Sequence, residues 1–322
     1  MVSNILYFIK RYGVAGYIKY KLLKDNSNEY GEYLHVQHRY YEKLSAEQYE
    51  HELGCWYKTF YNRDIANIRN PETFNDKIQW LKINDNSELR SICADKIAVR
   101  EYIKSKNIPD LNVIPMIAKW DNADAIDFDQ LPESFVLKQN AACKLNYIVT
   151  DKSKEDYQKL KKMLKTWLEI TFGYNGMELQ YINSKKYIFA EQYLHELGED
   201  LYDYKVFCFN GIPKFIEVIG DRGTDLKQGH VSFFDLDWKP LGFRTLTYAP
   251  FTKLPPKPDN LEKMIEIASI LSKPFTFVRV DLYDVSGEVY FGEMTFTPAN
   301  GAARWDPPEA NYELGGLISL TK

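Results

Sequence analysis

The stretch that decides the reading of this chain is Phe277–Phe296, FVRVDLYDVSGEVYFGEMTF. Before Ser286-Gly287, the apolar residues Val278, Val280 and Leu282 alternate with Arg279, Asp281 and Tyr283. After it, Tyr290, Met294 and Phe296 alternate with Phe291, Glu293 and Thr295. Period-two alternation around a glycine-containing turn predicts an antiparallel hairpin. One face of it is buried, and the other presents Arg279, Asp281, Glu293 and Thr295. Loop parity decides whether the two acids share a face. A two-residue loop separates them. A three-residue Val285-Ser286-Gly287 loop, with Gly287 left-handed, brings them together and is the register expected here, with Glu293 across from Arg279 and Asp281 one diagonal step away. Carboxylates that close repel unless a cation lies between them. Mg²⁺ held by one or two carboxylates and phosphate oxygens is one occupant; a solvated face on which Arg279 neutralises both acids is the alternative. The run Thr297-Pro298-Ala299-Asn300-Gly301 that follows reads as a sharp turn of the kind that borders sites.

The rest of the chain is consistent with an ordinary globular protein. It has 322 residues, 27% charged and 45% hydrophobic, with 17 Gly and 14 Pro, which excludes disordered and collagenous classes. That length corresponds to one large domain or two to three small ones. The formal charge of −4 argues against a nucleic-acid partner, which calls for a basic surplus. Four scattered cysteines, Cys55, Cys93, Cys143 and Cys208, form no metal or disulfide pattern and read as reduced packing residues of a cytoplasmic protein. The 24 Tyr, 18 Phe and 6 Trp imply a thick core or stacking surfaces. Residues 1–24 hold Lys10, Arg11, Lys19, Lys21 and Lys24 and no acid, with apolar residues at helical spacing. They read as a basic helix that docks on its own domain or lies on the inner face of an anionic membrane.

Residues 25–70 are polar and tyrosine-rich. A helix is expected after the turn Asn70–Asn75, and another from Leu89 through Asp95-Lys96 and Val99-Arg100. Strands are expected over 111–118 and 135–138, then a helix over 153–170 with Ser153 and Asp156 as its capping box. Further strands are expected over 187–193, 203–209 and 213–220, the last two joined by an Asn210-Gly211 turn. A helix over 260–272 precedes the final hairpin. This is an α+β order with antiparallel hairpins, not an alternating parallel-sheet pattern.

Read together, the phrases NPETFNDKIQWLK, DKIAVREYI, FVLKQN, FAEQYL, DYKVFCFNG, FVRVDLY and FGEMTFTP resemble, in fixed order from about Tyr61 to the C-terminus, the TupA-like branch of the ATP-grasp family. The resemblance implies two antiparallel-sheet α+β lobes with a nucleotide site between them. The expected organisation is an N-terminal helical extension (1–60), an N-terminal ATP-grasp-like region (61–134), a central lobe (135–190) and a C-terminal lobe with the metal hairpin (191–322). It implies ATP and one or two Mg²⁺ as cofactors. Lys96 and Lys138 would neutralise phosphates, Glu191, Gln192 and Leu194 would hold adenine, and Asp281, Glu293 and Thr295 would ligate the metal. Arg279 and Lys205 would stabilise the transferred phosphoryl group.

Two positions depart from the family pattern. The phosphate loop after Lys138, glycine-rich in the family, runs Asn140-Ala141-Ala142-Cys143-Lys144-Leu145-Asn146 without glycine, leaving Asn140 and Lys144 as its polar members. Thr295 stands where the wider fold carries asparagine. The implied activity is ligation of an amine or amino acid to a carboxylate of a surface polysaccharide or its precursor, alongside other polysaccharide-assembly enzymes. A glycan kinase, a glycosyltransferase-like transferase and a non-catalytic assembly subunit are the alternatives.

Overall fold

The structure is a computed structural model and describes residues 2–23, 43–61, 68–194, 201–221 and 229–320. Most of the tyrosine-rich stretch read over 25–70 lies outside the described residues. The chain forms two compact units that interleave along the sequence. The first takes Met1–Ile65, Asn86–Ser91 and Pro115–Tyr193; the second takes Ala66–Asp85, Ile92–Ile114 and Leu194–Lys322.

In the first unit, β2 (Met116–Trp120), β5 (Ile188–Glu191), β3 (Phe135–Gln139) and β4 (Asn146–Val149) form an antiparallel sheet in the order β2-β5-β3-β4. Helices α1 (Val2–Leu23), α2 (Ala46–Tyr61) and α6 (Tyr157–Glu169) accompany it. Helix α1 is interrupted at Gly13 (φ 70°), so the single basic helix expected from the sequence is two shorter ones. Helix α6 starts four residues later than expected. Asp151 captures Ser153 through both its backbone N–H and its hydroxyl, making a 3₁₀ turn, and Asp156 alone caps the helix by accepting from the Gln158 and Lys159 N–H groups. Leu160, Leu164 and Trp167 are its buried stripe.

The strand expected over 111–118 breaks at Pro115, which has no N–H to give a ladder. Its two halves, β1 (Leu111–Val113) and β2, enter different sheets. The helix expected from Leu89 through Arg100 is likewise two, α4 (Glu88–Ala94) and α5 (Val99–Ser105). Between them the Asp95 carboxylate accepts from the Ile97 and Ala98 N–H groups.

The second unit is built on a six-stranded sheet in the order β1-β11-β10-β6-β7-β8. Its strands are β6 (Asp203–Phe209), β7 (Ile212–Gly220), β8 (His230–Phe234), β10 (Phe277–Val285) and β11 (Glu288–Thr295), besides β1, which alone pairs in parallel. Two short strands, β9 (Arg244–Thr245) and β12 (Trp305–Asp306), pair beside it. On one face lies α3 (Phe74–Asn84), started by a capping box at Thr73 and Asp76. Phe74 from α3 sits among Phe207, Phe209, Phe277 and Trp305 with ring centroids 5.1–6.5 Å apart. On the other, α7 (Leu261–Ser272) buries Leu261, Met264, Ile267, Ala268 and Leu271. The short helix α8 (Ala310–Gly316) packs on α3. The β6–β7 connection is the expected Asn210-Gly211 turn, both residues left-handed (φ 50° and 76°). Among the described residues no helix is long and apolar enough to cross a membrane.

Candidate functional site

The decisive hairpin differs from the expected register in an instructive way. Val285 pairs with Glu288, so the loop is the two residues Ser286 and Gly287, both left-handed (φ 53° and 82°), not the three-residue loop. That parity alone would put Asp281 and Glu293 on opposite faces. A β-bulge reverses it: Leu282 pairs with Phe291 but Asp281 pairs with Glu293, so Gly292 is the extra residue. Asp281 and Glu293 are therefore directly opposite, and Arg279 lies opposite Thr295 instead of Glu293. A Cβ on residue 292 would lie 2.9 Å from the Tyr283 ring and 3.0 Å from the Asp281 carbonyl, which is why this bulge takes glycine.

Cross-strand pairing extends the face into a row. Glu293 pairs with Asp281, Asp281 with Lys205, Lys205 with Glu217, and Glu217 with Phe233, across β11, β10, β6, β7 and β8. Directly opposite residues share a face, so alternating sequence has produced one polar line across the sheet. Arg279 forks onto Asp281, donating from Nε to Oδ1 and from Nη2 to Oδ2, each at 2.7 Å. The same Nη2 lies 3.2 Å from the Thr295 hydroxyl, and Nη1 is 3.7 Å from Glu217. Lys205 Nζ is 2.6 Å from both Asp203 Oδ2 and Asp281 Oδ2. The Thr295 hydroxyl donates to Glu293 Oε1 at 2.9 Å. Asp281, Lys205 and Asp203 are buried, so most of the face is not solvated, while Arg279 meets both acids as the alternative reading expects, Asp281 at 2.7 Å and Glu293 at 3.8 Å. Glu293, with 42% of its side chain exposed, is the member open to solvent.

The electrostatics divide the acids. Burial disfavours charge on Asp281 and pushes its carboxyl up, against the pull of Arg279 and Lys205. Glu217 is raised for the same reason. At Glu293 burial also opposes ionisation, but Lys96, Lys205 and Arg279, with the Thr295 hydrogen bond, prevail and bring it down to about 2. Burial opposes charge on Lys205 too, yet Asp203 and Asp281 hold its ammonium above the usual lysine range.

Just beyond Glu293 and Thr295 the expected sharp turn has three consecutive left-handed residues, Ala299, Asn300 and Gly301 (φ 47°, 58° and 65°). Helix α3 holds it. Gln79 Nε2 donates to the Asn300 and Gly301 carbonyls at 2.9 and 2.8 Å, and the buried Lys82 ammonium donates to the Asn300 backbone carbonyl at 2.8 Å and to its side-chain oxygen. Left-handed backbone in non-glycine residues persists only where the surroundings impose it. The phrase containing Gln79 and Lys82 thus acts on the loop that follows the acids.

The first unit carries most of the other named residues. Lys138, on β3, forms an ion pair with the buried Glu191 on β5. Asn140 begins the glycine-free loop, and its side chain is engaged structurally. Its Oδ1 accepts from the Tyr187 N–H at 2.7 Å, and its Nδ2 donates to the Lys185 carbonyl at 3.0 Å. The Gln192 N–H donates to the Pro115 carbonyl at 3.1 Å. Lys144 is exposed with φ 63°, a left-handed position taken without glycine. Cys143, expected as a packing residue, is exposed because the loop turns it outward. Leu194 is buried and belongs to the second unit, as does the half-buried Lys96. Lys205 pairs with Asp203, one of the two partners the sequence offers it, whereas the sequence reading missed Glu217, which only the pairing of β6 with β7 brings into the charged row. Among the described residues no group of three or more His, Cys, Asp or Glu is arranged to hold a metal ion.

The profile of the family described as TupA-like ATPgrasp matches residues 76–319, three quarters of the chain. The chain belongs to the TupA-like ATP-grasp family. It therefore has the α+β ATP-grasp fold that the seven phrases imply. Among solved structures it is similar to D-alanine–D-alanine ligase from Bacillus anthracis, at 18% identity and a TM-score of 0.41, over 70% of this chain and 66% of that one. It is also similar to D-alanine–D-alanine ligase from Helicobacter pylori, at 15% identity and a TM-score of 0.40, over 77% and 70%. A third is phosphoribosylglycinamide synthetase from Anaerococcus prevotii, at 16% and 0.35, over 70% of this chain and 52% of that one. This TupA-like chain thus spans about two thirds of the length of the first of these and about half of the last. No curated protein matches it.

Proposed function

We propose that the chain is an ATP- and Mg²⁺-dependent carboxylate–amine ligase that modifies a cell-surface polysaccharide or its precursor. The observation that carries this reading is the charged row of the second unit. It sets the carboxylates of Glu217, Asp281 and Glu293 beside Lys205, with Asp203 and Arg279 flanking them on the same sheet face. The excess of acid, with two carboxylates directly paired and one held ionised, suits a divalent cation shared with phosphate oxygens. Asp281, Glu293 and Thr295 would hold it, and when bound it would supply charge neutralisation at the phosphates.

The chain's own groups would do the rest. Lys96, Lys138 and Lys205 would offset phosphate charge, while Glu191, Gln192 and Leu194 would contact the base. Asn140 would act by shaping the loop that carries Lys144. Arg279, rigid and permanently charged, would stabilise the γ-phosphoryl group as an acceptor carboxylate oxygen attacks phosphorus and the bond to ADP breaks. The amine nitrogen would then attack the acyl carbon, lose a proton and expel phosphate, leaving an amide.

The glycine-free loop favours a second reading, phosphoryl or glycosyl transfer to a glycan hydroxyl from an altered donor pocket. Product mass separates a phosphate gain from an amide gain. A non-catalytic assembly subunit would show no turnover and would tolerate Asp281→Asn. Residues 1–24 would bring the chain to the inner face of the membrane and to other assembly enzymes.

The test is calorimetry with ADP and a non-hydrolysable ATP analogue, with and without Mg²⁺. Metal-dependent binding that disappears in the Asp281→Asn/Glu293→Gln double variant is the expected result. No binding at millimolar nucleotide overturns the ligase reading.

A further inference from the structure

We infer that the second unit carries a subsite for an uncharged sugar ring, distant enough from Asp281 that the acceptor must contain more than one ring; this rests on the ligase reading above. The subsite is the cleft of about 390 Å³ beside β8, β9 and β12, reached by Phe233, Phe243, Phe251, Arg244, Asp306 and Pro307. Its size lies at the low end of the range of about 300–1,000 Å³ for small-ligand sites, which suits a ring with its substituents and not a nucleotide.

The lining is of two kinds. Phe243 carries the aromatic core to the surface of the cleft: half-buried, it meets Phe215, Phe233 and Trp305 with ring centroids 5.3–5.7 Å apart. Its orientation is thereby fixed, and with Phe251 and Pro307 it offers rigid apolar faces for the C–H side of a ring. The polar part is a single ion pair, Arg244 Nε to Asp306 Oδ2 at 2.7 Å, with 49% and 41% of the two side chains exposed. The pair is neutral. An anionic ligand on the remaining Arg244 N–H groups would lie against the Asp306 carboxylate, and among the described residues no other cation lines the cleft. A cationic ligand would meet the mirror problem. Adjacent hydroxyls, each donor and acceptor, match the remaining guanidinium N–H groups and the free carboxylate oxygen without breaking the pair.

Position supplies the second half of the inference. Phe233, in the lining, is the register partner of Glu217 at the end of the charged row. Three strand spacings, about 14 Å, separate it from Asp281. A single ring seated in the cleft does not span that distance, so the reacting carboxylate must sit on a further residue of a saccharide chain.

The test is saturation-transfer NMR on the full chain with methyl glycosides of glucose, galactose, mannose and N-acetylglucosamine, and with disaccharides of the same sugars. The expected result is transfer to ring protons, stronger for the disaccharides. Binding should weaken by about threefold to tenfold in Phe243→Ala and in Arg244→Ala. Transfer to none of these probes, or transfer unchanged in both variants, overturns the subsite; displacement by inorganic phosphate or AMP overturns its uncharged character. ADP calorimetry on the same samples keeps the two proposals apart. Normal nucleotide binding without a sugar signal removes the subsite and leaves the ligase reading, whereas a sugar signal without nucleotide binding does the reverse.

Discussion

Glu217 is the residue at which burial and charge oppose each other most openly. Its carboxylate faces Lys205 across the ladder, yet the ion pair it makes is a loose one, 3.7 Å from Arg279. Burial raises its carboxyl above the usual range more than Arg279 and Lys205 lower it. A folded-state value above the unfolded one means that ionised Glu217 costs stability. That cost is complete above the folded value and disappears once the pH falls below the unfolded value. Glu217→Gln removes it, so we expect a gain on the order of 1 kcal/mol at pH 8, about 2–4 °C in Tm, shrinking to nothing near pH 4. Thermal melts across pH decide the matter, and a loss at pH 8 that fades toward pH 4 would mean that the attraction to Arg279 dominates instead. Glu293 runs the other way: pulled down to about 2, it contributes stability above its unfolded value that is lost as pH falls toward 2. At this scale the sequence was legible where alternation marks a strand face, as at Asp281 and Glu293. It was not legible at Glu217, a single acid on a strand whose neighbour is known only once β6 and β7 are paired.

Among the elements, the β10–β11 hairpin shows both why sequence reading succeeds and where it stops. The face shared by Asp281 and Glu293 was correctly inferred, but by the wrong device, since a three-residue loop and a two-residue loop with a bulge have the same parity. Turn chemistry could not separate them, because Ser286-Gly287 suits either and Gly292 looks like any strand glycine. The same limit explains the strand split at Pro115 and the late start of α6, where a local Asp151–Ser153 contact competes with helix. The bulge makes a discriminating prediction. Gly292→Ala forces a Cβ to 2.9 Å from the Tyr283 ring and 3.0 Å from the Asp281 carbonyl, whereas at Gly287 a Cβ meets nothing within 4 Å and faces only the strain of φ +82°. We expect Gly292→Ala to cost about 1–3 kcal/mol and to weaken Mg²⁺-dependent nucleotide binding as Glu293 leaves its register. Gly287→Ala should cost about 1 kcal/mol with binding intact. Paired melts and calorimetry measure both, and equal loss of binding in the two variants would place register control in the turn instead.

For the whole molecule, charge distribution matters more than net charge. The chain is formally −4, but residues 1–24 alone hold five basic residues and no acid, so the remainder stands nine charges to the negative side. The net charge of such a body opposes approach to an anionic bilayer, while its N-terminal segment is attracted to one. That segment also turns apolar side chains to solvent: Leu6 and Val14 are 62% exposed and Ile18 53%. Phe8, by contrast, is buried and lies 6.1 Å from the Tyr17 ring across the break at Gly13, so α1 is anchored by some residues while others stay outward. Electrostatic attraction over about one Debye length plus insertion of exposed apolar side chains would give reversible surface binding. We therefore expect the chain to co-sediment with phosphatidylglycerol vesicles at low salt and not with phosphatidylcholine vesicles. Binding should fall steeply by 0.5 M salt, roughly the regime where screening reaches the contact distance. Leu6→Asp/Val14→Asp/Ile18→Asp should abolish it while leaving nucleotide binding as it was. Sedimentation with neither lipid would instead assign the exposed residues to contact with a protein partner, and equal sedimentation with both would mean apolar insertion that does not need the basic cluster.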